Sequence, residues 1–181
     1  RWFDIFNFLD DKGIEYDQIC MTDASYIPKW NMPDIFKMTD GKFTTTHEYD
    51  NFKWVYESIQ GYKEFFDNYE LNIFDYFNTG LVIFNKSHRD VFEKFRKIYT
   101  ENVDYFVDKQ LNDVDINFLS PHYRVSHLPR KDLLSYNWQL DEDKTPFFIK
   151  YGLLWGFSGF DKRQRNKLME DVWEIVKENY K

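Results

Sequence analysis

Positive charge is in deficit in this chain: 24 Lys and Arg stand against 31 Asp and Glu, a net charge of −7. Nucleic-acid phosphates need clustered Lys and Arg, so no nucleic acid is expected as the main partner, and anionic membrane surfaces are disfavoured. Cysteine is nearly absent. The single one, Cys20, allows no disulfide within the chain,. Its neighbours Ile19 and Met21 make it a small core residue, not a nucleophile,. No apolar run reaches the length of a transmembrane segment, and no signal peptide is visible,. The expectation is a soluble protein of a reducing compartment, the cytoplasm. The four histidines, His47, His88, His122 and His127, share no metal-ligand spacing,. There is no nucleophile elbow, no Gly-x-x-x-x-Gly-Lys phosphate loop, no repeat and no low-complexity linker,.

What the chain does have is aromatic rings: 19 Phe, 13 Tyr and 6 Trp make up 21% of its 181 residues. Such rings suit core packing first, and stacking on sugars or bases second. With 43% apolar residues, the length suits one domain, residues 1–181, with a real core,. An acidic protein still binds a nucleotide where a metal or a few local cations offset the phosphates.

Periodicity alternates between helix and strand, so the expected class is α/β, with a mixed, mostly parallel sheet flanked by helices. Residues 2–12 carry Phe3, Phe6 and Leu9 at helical spacing, with Gly13 as the stop,. Residues 16–22 read as a buried strand ending on Asp23. Residues 32–38 suggest a helical turn or two, and residues 41–46, with three threonines in a row, an extended segment,. Residues 51–69 read as helical, with Phe52, Val55, Tyr56 and Ile59 among the apolar positions and Gly61 as a weak point,. Residues 77–84 form the second strand. Ser87 then caps a helix to Tyr99 that buries Val91, Phe92, Phe95 and Ile98,. A further helix is expected over 107–119, a strand over 123–128, and a short strand at Phe147, Phe148 and Ile149. A last helix starts at Ser158 or Asp161 and turns Leu168, Val172, Ile175 and Val176 inward,. The chain opens in a helix at Arg1, without Met. Nucleotide-binding α/β domains usually open with a strand and a base-holding loop. An N-terminal stretch on the order of one βαβα unit is therefore expected outside these residues.

Open α/β sheets bind ligands at the C-terminal mouths of their strands, which is where Asp23 stands. The order of motifs resembles the glycosyltransferases of the GT-A fold, nearest to the glycogenin-like and lipopolysaccharide galactosyltransferase-like branch, family 8. The resemblance covers most of the chain. It rests on Tyr16-Asp17-Gln18-Ile19 leading to Asp23-Ala24-Ser25, then Asp34-Ile35-Phe36, then Phe77-Asn78-Thr79-Gly80 entering a strand and an amphipathic helix. Asn112-Asp113-Val114-Asp115-Ile116-Asn117, Leu128-Pro129-Arg130 and Tyr136-Asn137 complete it. Viral capsid-glycosylating enzymes of the same fold are a further resemblance.

The resemblance implies transfer of a hexose or deoxyhexose from a UDP-sugar to a glycan or glycoprotein acceptor, assisted by Mn²⁺ or Mg²⁺. Asp23 would bind the metal that bridges the donor diphosphate, whose developing negative charge needs a cation. A strand-end Asp that caps the next turn is the plainer alternative. Ser25 stands where the family has a second aspartate, and a hydroxyl is a poorer ligand for a hard cation. Lys150, followed by Gly152, stands where the family has a metal-binding His; an ammonium cannot hold a cation, but it neutralises phosphate directly. Its alternative is an ordinary solvated lysine. Asn78, Thr79 and Gly80 would face the sugar, the Asn amide bonding its hydroxyls and the Gly admitting close approach. A simple turn into the strand is the other reading. Asp113 and Asp115 are by spacing the candidates for a base that takes the acceptor's proton, against a solvated helix face. His122, Tyr136 and Trp138 are the acceptor-side candidates. Two rivals stand beside this reading: a non-catalytic nucleotide-sugar or glycan-binding module on the same fold, and a nucleotidyltransferase of related topology.

Overall fold

The computed structural model of the chain describes residues 4–47, 52–62, 76–108, 126–128, 142–143, 149–150, 152–157 and 161–181. Its elements, in chain order, are α1 (Ile5–Asp11), β1 (Ile19–Thr22), β2 (Tyr26–Pro28), α2 (Ile35–Thr39), β3 (Thr44–His47) and α3 (Phe52–Tyr62). There follow β4 (Phe77–Phe84), α4 (Arg89–Glu101), α5 (Val103–Asp108), β5 (Ser126–Leu128), β6 (Leu154–Gly156) and α6 (Lys162–Val176). The chain divides into two compact units. One is Arg1–Met21 with Thr39–His127; the other is Thr22–Met38 with Leu128–Lys181.

The first unit carries a four-stranded sheet in the order β1-β4-β3-β5. β4 is eight residues long, and Leu81, Val82, Ile83 and Phe84 are all buried, as an interior strand covered on both faces requires,. Its apolar run continues into α4, which turns Val91, Phe92 and Phe95 inward at helical spacing. Phe84 and Phe92 meet with ring centroids 4.4 Å apart, and Phe6 of α1 closes the cluster edge-on to Phe92 at 5.3 Å. Each such pair adds about 0.5–1.5 kcal/mol beyond the area it buries. Gly13 ends the α1 segment with a φ of 62°, a left-handed value that side-chain-bearing residues resist,.

Several local expectations shift. The turn into α4 is capped by Asn85, not Ser87: the Asn85 Oδ1 accepts from the Ser87 amide at 2.9 Å and from the Ser87 hydroxyl at 2.6 Å. A 3-10 turn, Lys86–His88, precedes the helix proper. α3 runs through Gly61, whose carbonyl accepts the Tyr105 hydroxyl at 2.9 Å, so the last turn is not left unsatisfied,. Of its apolar positions, Phe52 and Tyr56 are exposed, while Val55 and Ile59 are buried.

The second unit is built on a two-stranded sheet, β2 with β6, in the antiparallel register Tyr26↔Gly156, Ile27↔Trp155, Pro28↔Leu154. Trp155 and Phe157 pack with Val172 and Val176 of α6, and Trp30 joins them from the β2 side at 6.3 Å from Trp155. Asp161 caps α6, accepting from the amides of Arg163 and Gln164, which settles the choice between Ser158 and Asp161. Ile175 is exposed, because the buried stripe runs through Val172 and Val176,. Of the strand expected at Phe147–Ile149, Phe147 and Phe148 lie outside the described residues; Ile149 and Lys150 are helical, and a strand, β6, follows where β2 provides a pairing partner.

The class is mixed α/β. The expected mostly parallel pairing is not what the assigned registers show, since β2 with β6 and β3 with β4 both run antiparallel. In each case the chain returns to its partner strand in the opposite sense, so no parallel crossover is formed there.

Candidate functional site

β1 delivers Asp23 and Ala24 to the surface, both exposed, and the chain then turns back: the Tyr26 amide donates to the Asp23 carbonyl at 3.2 Å,. Ser25 is buried in this turn, with 7% of its surface accessible, and its carbonyl accepts the Phe157 amide at 3.0 Å. The β2–β6 pairing therefore draws residues 152–157 to the turn that carries Asp23. Gly156 suits that close approach. A Cβ there would stand 2.7 Å from Cε1 of the Tyr26 ring, which lies against it,.

Lys150 and the buried Gly152 precede β6 in the same unit. The Lys150 ammonium stands 3.4 Å from Asp143 Oδ2 in an exposed pair. Such a pair is worth about 0–1 kcal/mol, so an arriving anion competes with it. Sequence reasoning missed Lys29. Its ammonium donates to the Lys150 carbonyl at 3.1 Å and lies 5.4 Å from the centre of the Trp30 ring. Burial lowers its pKa. The only sequence signal for it is a Lys-Trp pair after Pro28, which carries no chemistry until the fold brings residue 150 beside it. Thus Asp23, Ala24, Ser25, Lys150 and Gly152, far apart in sequence, belong to one small unit that also holds Lys29.

At the turn, the residues expected to hold the metal offer one carboxylate, Asp23, and one hydroxyl, Ser25. Among the described residues, no group of three or more His, Cys, Asp or Glu side chains gathers as a metal cage. That donor set does not fit a preformed cage. One exposed carboxylate beside a buried serine would suit only a cation that keeps most of its waters, as Mg²⁺ does with one or two carboxylates,.

Asn78, Thr79 and Gly80 belong to the first unit, inside β4. Here the sheet is irregular. Thr45 pairs with Val82 while the next residue, Thr46, pairs with Asn78, so Thr79, Gly80 and Leu81 bulge opposite one step of β3,. Thr79 is exposed at this bulge and Gly80 is buried. Cys20, one strand position before Met21, is half-buried, and burial pushes its thiol up to about 11, consistent with an inert core residue,. Asp113, Asp115, His122, Tyr136 and Trp138 lie outside the described residues.

The fold is similar to part of the WbbM bifunctional glycosyltransferase, seen in its apo structure. The TM-score is 0.52 at 16% identity, over 91% of this chain and 34% of that one. The chain thus spans about a third of that protein's length, and at this identity the likeness is one of fold. No family model matches the chain, and no curated protein does.

Proposed function

We propose that the chain is a glycosyl-transferring unit that moves a hexose or deoxyhexose from a UDP-sugar to a glycan or glycoprotein acceptor. One observation carries the reading: a fold similar to a glycosyltransferase over 91% of the chain, in a sequence whose first strand ends on an exposed acid, Asp23. The motif order supports the finer affiliation, to family 8 or to viral capsid-glycosylating enzymes, and it is the sole support for it. Cytoplasmic residence belongs to the same proposal. Among the described residues, no helix is long and apolar enough to cross a membrane.

In this reading Asp23 would hold the metal ion at the donor diphosphate from the turn after β1, with Ser25 assisting. Mn²⁺ or Mg²⁺, when bound, supplies positive charge against the departing nucleoside diphosphate. Lys150 gives up its exposed pairing with Asp143 to meet a phosphate oxygen, and Lys29 adds a second positive charge to the same unit,. Asn78 reads sugar hydroxyls, with Thr79 and Gly80 allowing close backbone approach. Asp113, or Asp115, takes the proton of the acceptor hydroxyl, while His122, Tyr136 and Trp138 line the acceptor's path.

The decisive substitution is Asp23→Ala. It is expected to abolish metal-dependent transfer or hydrolysis of a UDP-sugar, with an unchanged unfolding midpoint, because the side chain is exposed. Retained activity overturns the role of Asp23. The single carboxylate at the turn and the absence of a three-ligand cluster among the described residues favour one second reading, a module that binds donor or glycan without catalysis. Release of nucleoside diphosphate from UDP-sugar and Mn²⁺ without acceptor eliminates it; release of pyrophosphate from a nucleoside triphosphate points instead to nucleotidyl transfer.

A further inference from the structure

We propose that Thr45 is a positioning residue for the donor sugar, acting through the bulge in β4; this rests on the glycosyltransferase reading above. Three β4 residues, Thr79, Gly80 and Leu81, stand opposite the single step from Thr45 to Thr46, so none of them has a register partner on β3. A backbone carbonyl set out of register inside a sheet still needs a donor. The Leu81 carbonyl finds one in the Thr45 hydroxyl, which donates to it at 2.9 Å in a buried setting. Thr45 itself is fully buried. The bond ties β3 to the C-terminal edge of the bulge, and the other edge is Asn78, paired with Thr46. Between these two anchors lie Thr79 and Gly80, next to Asn78. Without the first anchor, the bulge would relax toward another register, and a slip of one residue would reverse which face each side chain occupies.

The adjacent residue provides a matched control. Thr44 is also buried, and its hydroxyl donates at 3.0 Å to the Lys42 carbonyl, within its own segment and away from the bulge. Thr44→Val and Thr45→Val each remove one buried hydroxyl at constant volume, so both should lower stability to a similar extent. They should differ in what they do to the donor.

Three measurements test this. Calorimetric titration with UDP-sugars and Mn²⁺ should show binding about tenfold weaker for Thr45→Val than for Thr44→Val. Steady-state hydrolysis should show the same split, with KM raised in Thr45→Val and unchanged in Thr44→Val. Amide chemical shifts of Thr79 and Leu81 should move only in Thr45→Val. Thr45→Ser, which keeps the hydroxyl, should restore wild-type binding. Equal donor affinity in the two valine variants, or no rescue by serine, overturns the positioning role and leaves the functional reading standing. A wild-type protein that binds no nucleotide sugar overturns the functional reading, and the positioning role with it. If Thr45→Val fails to fold, donor affinity in Thr45→Ser decides: unchanged affinity supports the hydroxyl, and a tenfold loss places the role in the methyl group and overturns the proposal.

Discussion

The first unit surrounds an eight-residue strand with neighbours on both sides and, among the described residues, packs a dozen buried ones into one cluster that includes Phe6, Phe84, Phe92 and Phe106. The second rests on two strands of three residues each, and its cluster of buried residues is four strong among those described: Trp155, Phe157, Val172 and Val176. A two-stranded ribbon of that length is marginal on its own in water. The second unit therefore depends on its side chains, and above all on its rings. Trp30 stands 6.2 Å from Tyr180, whose hydroxyl donates to the Pro28 carbonyl, so the end of the chain is fastened to β2. The contrast teaches where each unit is vulnerable. Among the described residues, the first has a redundant core and the second a small one.

The largest effect should come from Trp155→Ala. Truncating a fully buried Trp costs about 3–5 kcal/mol. Amide exchange should show residues 26–28 and 162–176 losing protection while 77–84 keeps it. Simultaneous loss in both sets would mean that the units do not unfold separately, and the contrast fails. Next comes Gly156→Ala. With Cε1 of Tyr26 only 2.7 Å from the new Cβ, the ring must move, and a loss of about 1–3 kcal/mol is expected in denaturant titration,. Tyr26→Ala in the same chain should relieve most of it; if it does not, the clash is not the cause.

Capping sharpens the contrast further. Asp161→Ala should lower stability by about 1 kcal/mol, the usual worth of an N-cap. Asn85→Ala in the first unit should cost more, because its side chain also donates to the Gly41 carbonyl at 2.7 Å and so ties two segments. Thermal unfolding of the two variants ranks them. The smallest effect concerns His88, buried beside Phe43 with Nδ1 accepting the Asn85 amide at 3.1 Å. Burial lowers its pKa below the ordinary value of 6.5, with Asp90 opposing. The unfolded chain therefore takes up a proton first on acidification. The stabilisation from neutral His88 is complete above pH 6.5 and is lost as pH falls through the lowered folded value,. His88→Gln should flatten that part of the stability profile, and an unchanged slope counts against it.

Legibility in the sequence follows range. The bounds of β4 and the buried face of α4 could be read directly, because period and spacing act within a few residues; the cap of α6 was narrowed only to Ser158 or Asp161. The cap at Asn85 could have been read too: an Asn two residues before Ser87 carries the same signal, and only the three-dimensional turn chooses between them. Asp23 was legible as an acid at a strand end; Lys29 was not, since its meaning depends on a carbonyl at residue 150.

By itself the sequence determined the strand at 77–84, the apolar face of α4, the last helix and the aromatic character of the core. Only tertiary structure decided which strand meets which. It paired residues 26–28 with 154–156, buried Ser25 while leaving Asp23 exposed, and put a three-residue bulge opposite Thr45. The reason is physical. A hydrogen bond between distant strands carries no local preference, so its partner and register are set by whichever apolar faces and unsatisfied carbonyls the whole chain brings together.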